Sequence, residues 1–165
     1  MSMVDKREDI LERLRAILEE QAAALSFKSV VRNRGLMSNE QRPALALLDG
    51  DELPRGIVPS TRNGDRYSGL RPRLMGMQPE VYILRDELRP QNEKPDGSEN
   101  IGAIVNANRI AIVDAICTDA ALKALLGTNG GIVYNGCVTD LKSGLALSGQ
   151  MRIDFELRYF FDPTA

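Results

Sequence analysis

The segment Asp49-Gly50-Asp51-Glu52 brings three carboxylates together where the apolar run "PALALL" ends. Carboxylates at this density can hold a hard cation such as magnesium, or act as acid and base. The same residues are also typical of a turn, because Asp and Gly favour the backbone angles that lead a strand away from the core. Alternate residues of an extended chain point apart, and a glycine in second place does not match a calcium-binding loop. We therefore favour the turn, and we predict no catalytic residue, no metal site and no cofactor.

The chain contains no histidine. This excludes Ser-His-Asp and Cys-His nucleophilic sites, and every zinc site that includes a histidine ligand. The sequence also lacks a G-x-x-x-x-G-K-[ST] phosphate-binding loop, a G-x-G-x-x-G after a strand, and a C-x-x-C pair. Its cysteines, Cys117 and Cys137, are too few for a disulfide framework, so we expect reduced thiols. An enzyme built from this sequence would have to use carboxylates, lysines or a hard metal ion.

Length and charge favour one ordinary globular domain. The 165 residues can enclose a single core, and 21 basic against 23 acidic residues leave a formal charge of −2, which argues against a surface devoted to nucleic acid. No apolar segment approaches the roughly 20 residues that a bilayer requires. The first residues are charged from Asp5 onward, so we expect a soluble protein without an export signal or membrane contact.

Apolar residues at helical spacing predict three helices. The first is "VDKREDILERLRAILEEQAAAL", which we expect to end near Leu25. The second, "NIGAIVNANRIAIVDAI", has the length and composition of a helix buried along one side. The third, "AALKALLG", can be capped by Thr118 or Asp119 and end at Gly127, where a left-handed residue normally stops a helix.

Five short segments predict strands: "FKSVVRN", "PALALLD", "MGMQPEVYILRDE", "NGGIVYNGCVTDLKSG" and "ALSGQMRIDFELRYFF". The last alternates so regularly that one face is expected to be core and the other wet or interfacial. The predicted core face consists of Met151, Ile153, Phe155, Leu157 and Tyr159, and the other face of Arg152, Asp154, Glu156 and Arg158.

A stretch from about residue 51 to 75 interrupts this pattern with prolines, glycines and five arginines. Asn63-Gly64 at its centre is a strong hairpin signal, so we predict a projecting hairpin or mobile arm that a partner orders. The arginines could contact phosphate, pair with acids on a neighbouring protein, or simply be solvated. Only Tyr67 offers an aromatic surface for stacking on bases, so we favour a protein partner. The predicted interface residues are Arg55, Arg62, Arg66, Tyr67, Arg71, Arg73, Arg152 and Arg158.

The predicted fold class is α+β. A single domain spans residues 1–165, with a mainly antiparallel sheet packed against helices on one face and the long arm projecting from it.

The ordered set of these segments resembles the tail terminator proteins of long-tailed, siphovirus-like bacteriophages. The resemblance rests on the N-terminal helix, then "VVRNRG", "RPALALLDGDE", "GMQPEVYI", "TDAALKALLGTNGGIVYNG" and "SGQMRIDFELRYFF". The long segment from Asp51 to Met75 departs from a compact terminator, so no family function is transferred to it.

The resemblance implies a structural virion protein and no enzyme. Such a protein forms a ring, expected to be a hexamer, that ends tail-tube polymerisation and provides the surface where the DNA-filled head docks. Its partners would be further copies of itself, the tail tube protein and the head-closure or connector proteins. Genomic DNA would pass through the lumen without specific binding. It would reside in the virion at the tail-head junction, and in the host cytoplasm during assembly.

Three other functions stay open at the level of sequence. The nearest is another phage neck protein, such as a head-closure or tail-completion factor. A carboxylate-dependent or metal-dependent hydrolase is the enzymatic alternative, which magnesium binding would favour. A generic dimeric accessory domain is the third, and a mass measurement in solution would distinguish it from a ring.

Overall fold

A computed structural model describes residues 6–33, 41–57, 73–87, 101–142 and 147–161. Three helices lie in this part of the chain: α1 (Lys6–Ala24), α2 (Ile101–Thr118) and α3 (Ala120–Leu126). Seven strands accompany them: β1 (Ser29–Arg32), β2 (Ala44–Leu48), β3 (Glu52–Ile57), β4 (Arg73–Met77), β5 (Glu80–Glu87), β6 (Gly131–Lys142) and β7 (Leu147–Phe161). The strands form one mostly antiparallel sheet, and the helices pack against it, so the predicted α+β class is confirmed.

β7 organises the sheet because it is long enough to pair with three other strands. On one edge it pairs with β5 and then β4, and on the other edge with β6. β2 continues the sheet beyond β5, β1 lies parallel to β2, and β3 lies beyond β4. Among the pairs that the described strands form, only β1–β2 is parallel.

The segment "MGMQPEVYILRDE" was predicted as one strand and is divided into β4 and β5 at Gln78-Pro79. Both strands nevertheless keep one register against β7, since Arg73 pairs with Phe161 and Glu80 with Asp154 without an inserted residue. Gln78 donates its N–H to the carbonyl of Asp51 on the neighbouring chain segment. The predicted segment therefore does run in one direction along β7. It begins earlier than predicted, at Arg73, and is interrupted at Gln78-Pro79.

The two ends of the predicted arm lie in the sheet. Residues 52–57, which were not predicted as a strand, form β3 and pair antiparallel with β4. β3 is an edge strand, the position where a residue such as Pro54 is tolerated. Residues 58–72, including Asn63-Gly64, lie outside the described residues, so the projection of the arm stays a prediction.

The core lies between the helices and one face of the sheet. Leu45, Ile83 and Met151 occupy paired positions on β2, β5 and β7, and all three are buried in one apolar cluster with side chains of α1, α2 and α3. The five alternate apolar residues of β7 named above are all buried in this cluster, so the predicted core face of β7 is confirmed.

The helix ends follow the predicted signals. Asp119 caps α3 by accepting a hydrogen bond from the Leu122 N–H at 2.6 Å, and Gly127 follows α3 with φ of 79°. The Asp119 carboxylate also receives two hydrogen bonds from Arg13 of α1, which holds the two helices together.

Cys117 is half-buried on α2, Cys137 is exposed on β6, and both are free thiols. Within the described residues, no helix is long and apolar enough to cross a membrane.

Candidate interface on the outer face of the sheet

The face of the sheet opposite the helices, here called the outer face, carries a charged cluster centred on Glu156. Alternation along β7 directs Glu156 away from the core, since Phe155 and Leu157 point into it. Arg55 donates from Nε and Nη2 to Oε1 and Oε2 of Glu156, at 3.2 and 2.9 Å. Arg158 donates from Nε to Oε1 at 2.7 Å. The two guanidinium groups leave Glu156 only 7% exposed.

A glycine on β4 makes room for Arg55. The register between β3 and β4 shifts at Pro54 and Gly56, which places Arg55 at an irregular position of the edge strand. A Cβ on Gly76 would lie 2.8 Å from both Cγ and Nε of Arg55. The absent side chain at Gly76 therefore allows Arg55 to lie across β4 and reach Glu156 on β7.

The cluster combines one carboxylate with two guanidinium groups. The hydrogen bond from Arg158 lowers the pKa of Glu156, and Arg55 acts in the same direction, while burial opposes both. Glu156 is therefore ionised at neutral pH. The cluster then carries one excess positive charge, and the Arg158 side chain remains 47% exposed. Such a surface can accept a carboxylate from another protein.

A second charged group on the outer face lies closer to β5. Arg152 and Asp154 form an ion pair, with 2.9 Å between Nε and Oδ1, and Asp154 raises the pKa of Arg152. Beside them, the Tyr82 hydroxyl donates to Glu80 Oε2 at 2.7 Å. Burial raises the pKa of Tyr82, and Glu80 adds to this effect. The charged groups of the outer face named here are thus paired within the chain, and the exposed side chains of Leu53 and Val138 lie on the same face.

A cleft of about 520 Å³ lies where β2 leads into β3 and β4 leads into β5. Its lining includes four carboxylate side chains: Asp49, Asp51, Glu80 and Asp154. Two of these already have cationic partners, because Asp154 binds Arg152 and Asp49 binds Arg32. Among the described residues, no three Asp, Glu or Cys side chains are grouped so that they could hold a metal ion.

The carboxylate of Asp49 has a structural partner. Arg32 of β1 donates to Asp49 from Nε and Nη2, at 2.7 and 2.9 Å. The same guanidinium binds Glu8 and Glu12 of α1 through Nη1, at 2.6 and 2.9 Å, so it fastens the first helix to the sheet. Hydrogen bonding from Arg32 lowers the pKa of Asp49 and of Glu8.

The turn predicted at Asp49-Gly50 is wrong, because β2 and β3 run in the same direction along β5 and β4; Gly50 instead lies where the pairing shifts by one residue. Its φ is 68°, in the left-handed region that glycine adopts without strain. A Cβ at this position would lie 1.7 Å from the carbonyl oxygen of Gln78, so no other residue fits. Gly50 therefore packs directly against Gln78-Pro79, the two residues between β4 and β5.

The predicted interface arginines fall into three groups. Arg55, Arg152 and Arg158 lie on the outer face with partners inside the chain, and Arg73 is exposed at the start of β4. The other predicted interface residues, namely Arg62, Arg66, Tyr67 and Arg71, lie outside the described residues. Sequence reasoning missed that Glu156 joins two of the arginines. The alternation "RIDFELR" indicates the Glu156–Arg158 pair, but nothing local indicates Arg55, which is 101 residues from Glu156.

Comparisons of the sequence with models of known protein families and with curated proteins found no match.

Proposed function

We propose that this chain is a structural virion protein that forms a ring, ends tail-tube polymerisation and offers a docking surface for the head. The observation that carries the proposal is the ordered set of terminator-like segments. These segments coincide with elements that build the fold, namely α1, β1, β2, the β4–β5 line, α3 and β7. The likeness therefore involves the framework of the domain and is not confined to one loop.

The ring needs no catalysis, because it acts by surface complementarity. One ring face would match the last ring of the tail tube, and the other the head-closure proteins. Heterologous contacts that close after a fixed number of copies give a ring, while contacts that do not close give a filament. A closed hexamer on the tube would leave no site at which a further tube ring could add.

The outer face supplies a contact for an acidic partner. Arg158 is half-exposed beside the buried Glu156, and the cluster has an excess of one positive charge. Ion pairs across an interface favour correct partners and speed their encounter. Genomic DNA would pass through the lumen without specific binding, consistent with the overall charge of −2.

The proposal is tested by adding the purified chain to polymerising tail tube protein of the same virus. We expect hexamers by mass measurement, and tubes that stop growing once rings appear at their ends in electron micrographs. A monomer that leaves tube growth unchanged would contradict the proposal. Binding to head connectors without any effect on tubes would identify another neck protein instead.

A matched pair of charge reversals sharpens this test. Arg158→Glu should weaken ring formation or capping, because it reverses the charge of the outer-face cluster; it also places a second carboxylate beside Glu156, so assembly is measured under conditions where thermal melts show both variants folded. Arg15→Glu is the control, since Arg15 on α1 is similarly exposed, at 45% against 47%, and its partners among the described residues are exposed acids of its own helix. Equal effects of the two substitutions would contradict the role given to the outer face.

A further inference from the structure

The outer edge of β6 is long, and the described residues leave it without a partner. β6 pairs with β7 over its whole length, from Gly131–Arg158 to Lys142–Ser148, and no other described strand pairs with it. Its first nine residues, 131–139, carry no charge. Val138 is 54% exposed, and its neighbours Cys137 and Thr139 are exposed as well. An uncharged edge of this length is a template for adding another strand.

The two other edges formed by the described strands differ from β6, since β3 is protected against strand addition and β1 is short. β3 contains Pro54, which cannot donate a backbone hydrogen bond, and a register shift that bends the edge. β1 has only four residues. In β6 the one irregularity lies between Tyr134 and Gly136, so residues 137–139 are both uncharged and regularly paired, and the regular pairing continues through Asp140 to Lys142. β6 is thus the edge most suited to accept a strand.

The direction of each backbone group on β6 follows from the ladder of β7. Phe155 donates its N–H to the carbonyl of Pro79. The backbone N–H and C=O groups of odd-numbered β7 residues therefore point toward β5, and those of even-numbered residues point toward β6. Val138 pairs with Arg152 and therefore directs its backbone toward β7. The backbone groups of Cys137 and Thr139 consequently point outward, where none of the described strands pairs with them.

The opposite edge of the same sheet has a matching orientation. Asn33 donates to the carbonyl of Leu47, so the alternate residues Val30 and Arg32 direct their backbone away from β2. β1 is parallel to β2, and each step from β2 through β5 and β7 to β6 is antiparallel, so β1 and β6 run in opposite directions. If a second copy lies beside the first in the same orientation, β6 of one copy and β1 of the next are antiparallel. They can then pair without turning the second copy around.

We propose that the outer edge of β6 accepts β1 of a second copy of this chain, which continues one sheet from subunit to subunit. The inference rests on the proposed ring and specifies its subunit contact. It is heterologous, as a closed ring requires, and it uses main-chain hydrogen bonds that fix the register of the neighbour.

The first test removes one outward donor. Thr139→Pro should preserve the β7 ladder, because the Thr139 N–H points outward, and should abolish self-association measured by solution mass. Thr139→Ala is the matched control, since it shortens the same exposed side chain but keeps the N–H, and it should assemble normally. Assembly of a folded Thr139→Pro chain to the same extent as Thr139→Ala would overturn the proposal.

The second test uses the unsubstituted chain, so it also decides the matter if Thr139→Pro fails to fold. Hydrogen exchange is compared between dilute monomer and assembled protein, in peptides covering 29–32 and 131–142. Slower exchange in both peptides on assembly is expected. No change in β6 of an assembled ring would refute this contact and leave the ring intact. Slower exchange in the β6 peptide with no change in the β1 peptide would mean that β6 pairs with a different strand, and it would also refute the β6–β1 contact. A chain that stays monomeric at every concentration would overturn both the contact and the proposed ring.

Discussion

The two faces of β7 are specified in different ways. On the helix side, five apolar residues at alternate positions are buried, as their spacing predicts. On the outer side, the same alternation predicts accessible charges, yet Glu156 is only 7% exposed because Arg55 and Arg158 cover it. Period-two patterning therefore determines which way a side chain points, while burial of a charged side chain depends on partners that arrive from elsewhere in the chain.

The largest effect should come from the helix side. Phe155→Ala should lower the free energy of unfolding by about 3 to 5 kcal/mol, because it removes a buried ring and leaves a cavity. Phe155 is 1% exposed and packs with Tyr134, with 5.8 Å between ring centroids. Denaturant titration measures the change. A loss below about 1 kcal/mol would show that this face of β7 is not the core.

Substitutions on the outer side of β7 should lower the free energy of unfolding by less than Phe155→Ala does, and Glu156 should be the most sensitive position. Glu156→Gln keeps the shape of the side chain but removes the charge that two arginines share, and should cost about 1 to 3 kcal/mol. Asp154→Asn is the matched control on the same strand and face. It has one arginine partner and a more exposed side chain, 30% against 9%, so it should cost less than about 1 kcal/mol. Equal losses of unfolding free energy in the two variants would mean that the burial of Glu156 does not contribute to stability.

The same carboxyl should make stability depend on pH. The pKa of Glu156 is lower in the folded chain than its ordinary value of about 4.3. Its ionised form therefore stabilises the fold above that value, and the contribution is lost as pH falls through the folded pKa. Asp49 and Asp119 have lowered pKa values and act in the same direction. Thermal melts from pH 7 to 3 should show falling stability, with a smaller fall in Glu156→Gln.

The smallest effects on stability are expected in the acidic segment 49–52. Asp51→Asn should change stability by less than about 0.5 kcal/mol, because Asp51 is exposed. Asp49→Asn loses its charge pair with Arg32 and should cost about 1 kcal/mol. If the proposed function is right, virus particles carrying either substitution should assemble almost normally. A complete loss of infectivity with a folded chain and intact particles would favour a chemical role, which saturable magnesium binding by calorimetry would support.

Local signals account for what the sequence predicted correctly. The alternation of β7, the cap at Asp119 and the stop at Gly127 each depend on residues close together in the chain. β3 was missed because Pro54 and Gly56 disfavour a strand, and its pairing depends on β4 beyond a long intervening segment. The Arg55–Glu156 contact joins residues 101 apart and needs the gap at Gly76. Both depend on the assembled sheet, which no local pattern encodes.

The proposed function is tested most directly by electron microscopy of virus particles produced without this chain. The ring proposal predicts tails of irregular and excessive length, separate from DNA-filled heads, and it predicts that supplying the chain during assembly restores tails of uniform length joined to heads. Tails of normal length attached to heads in its absence would contradict the proposal.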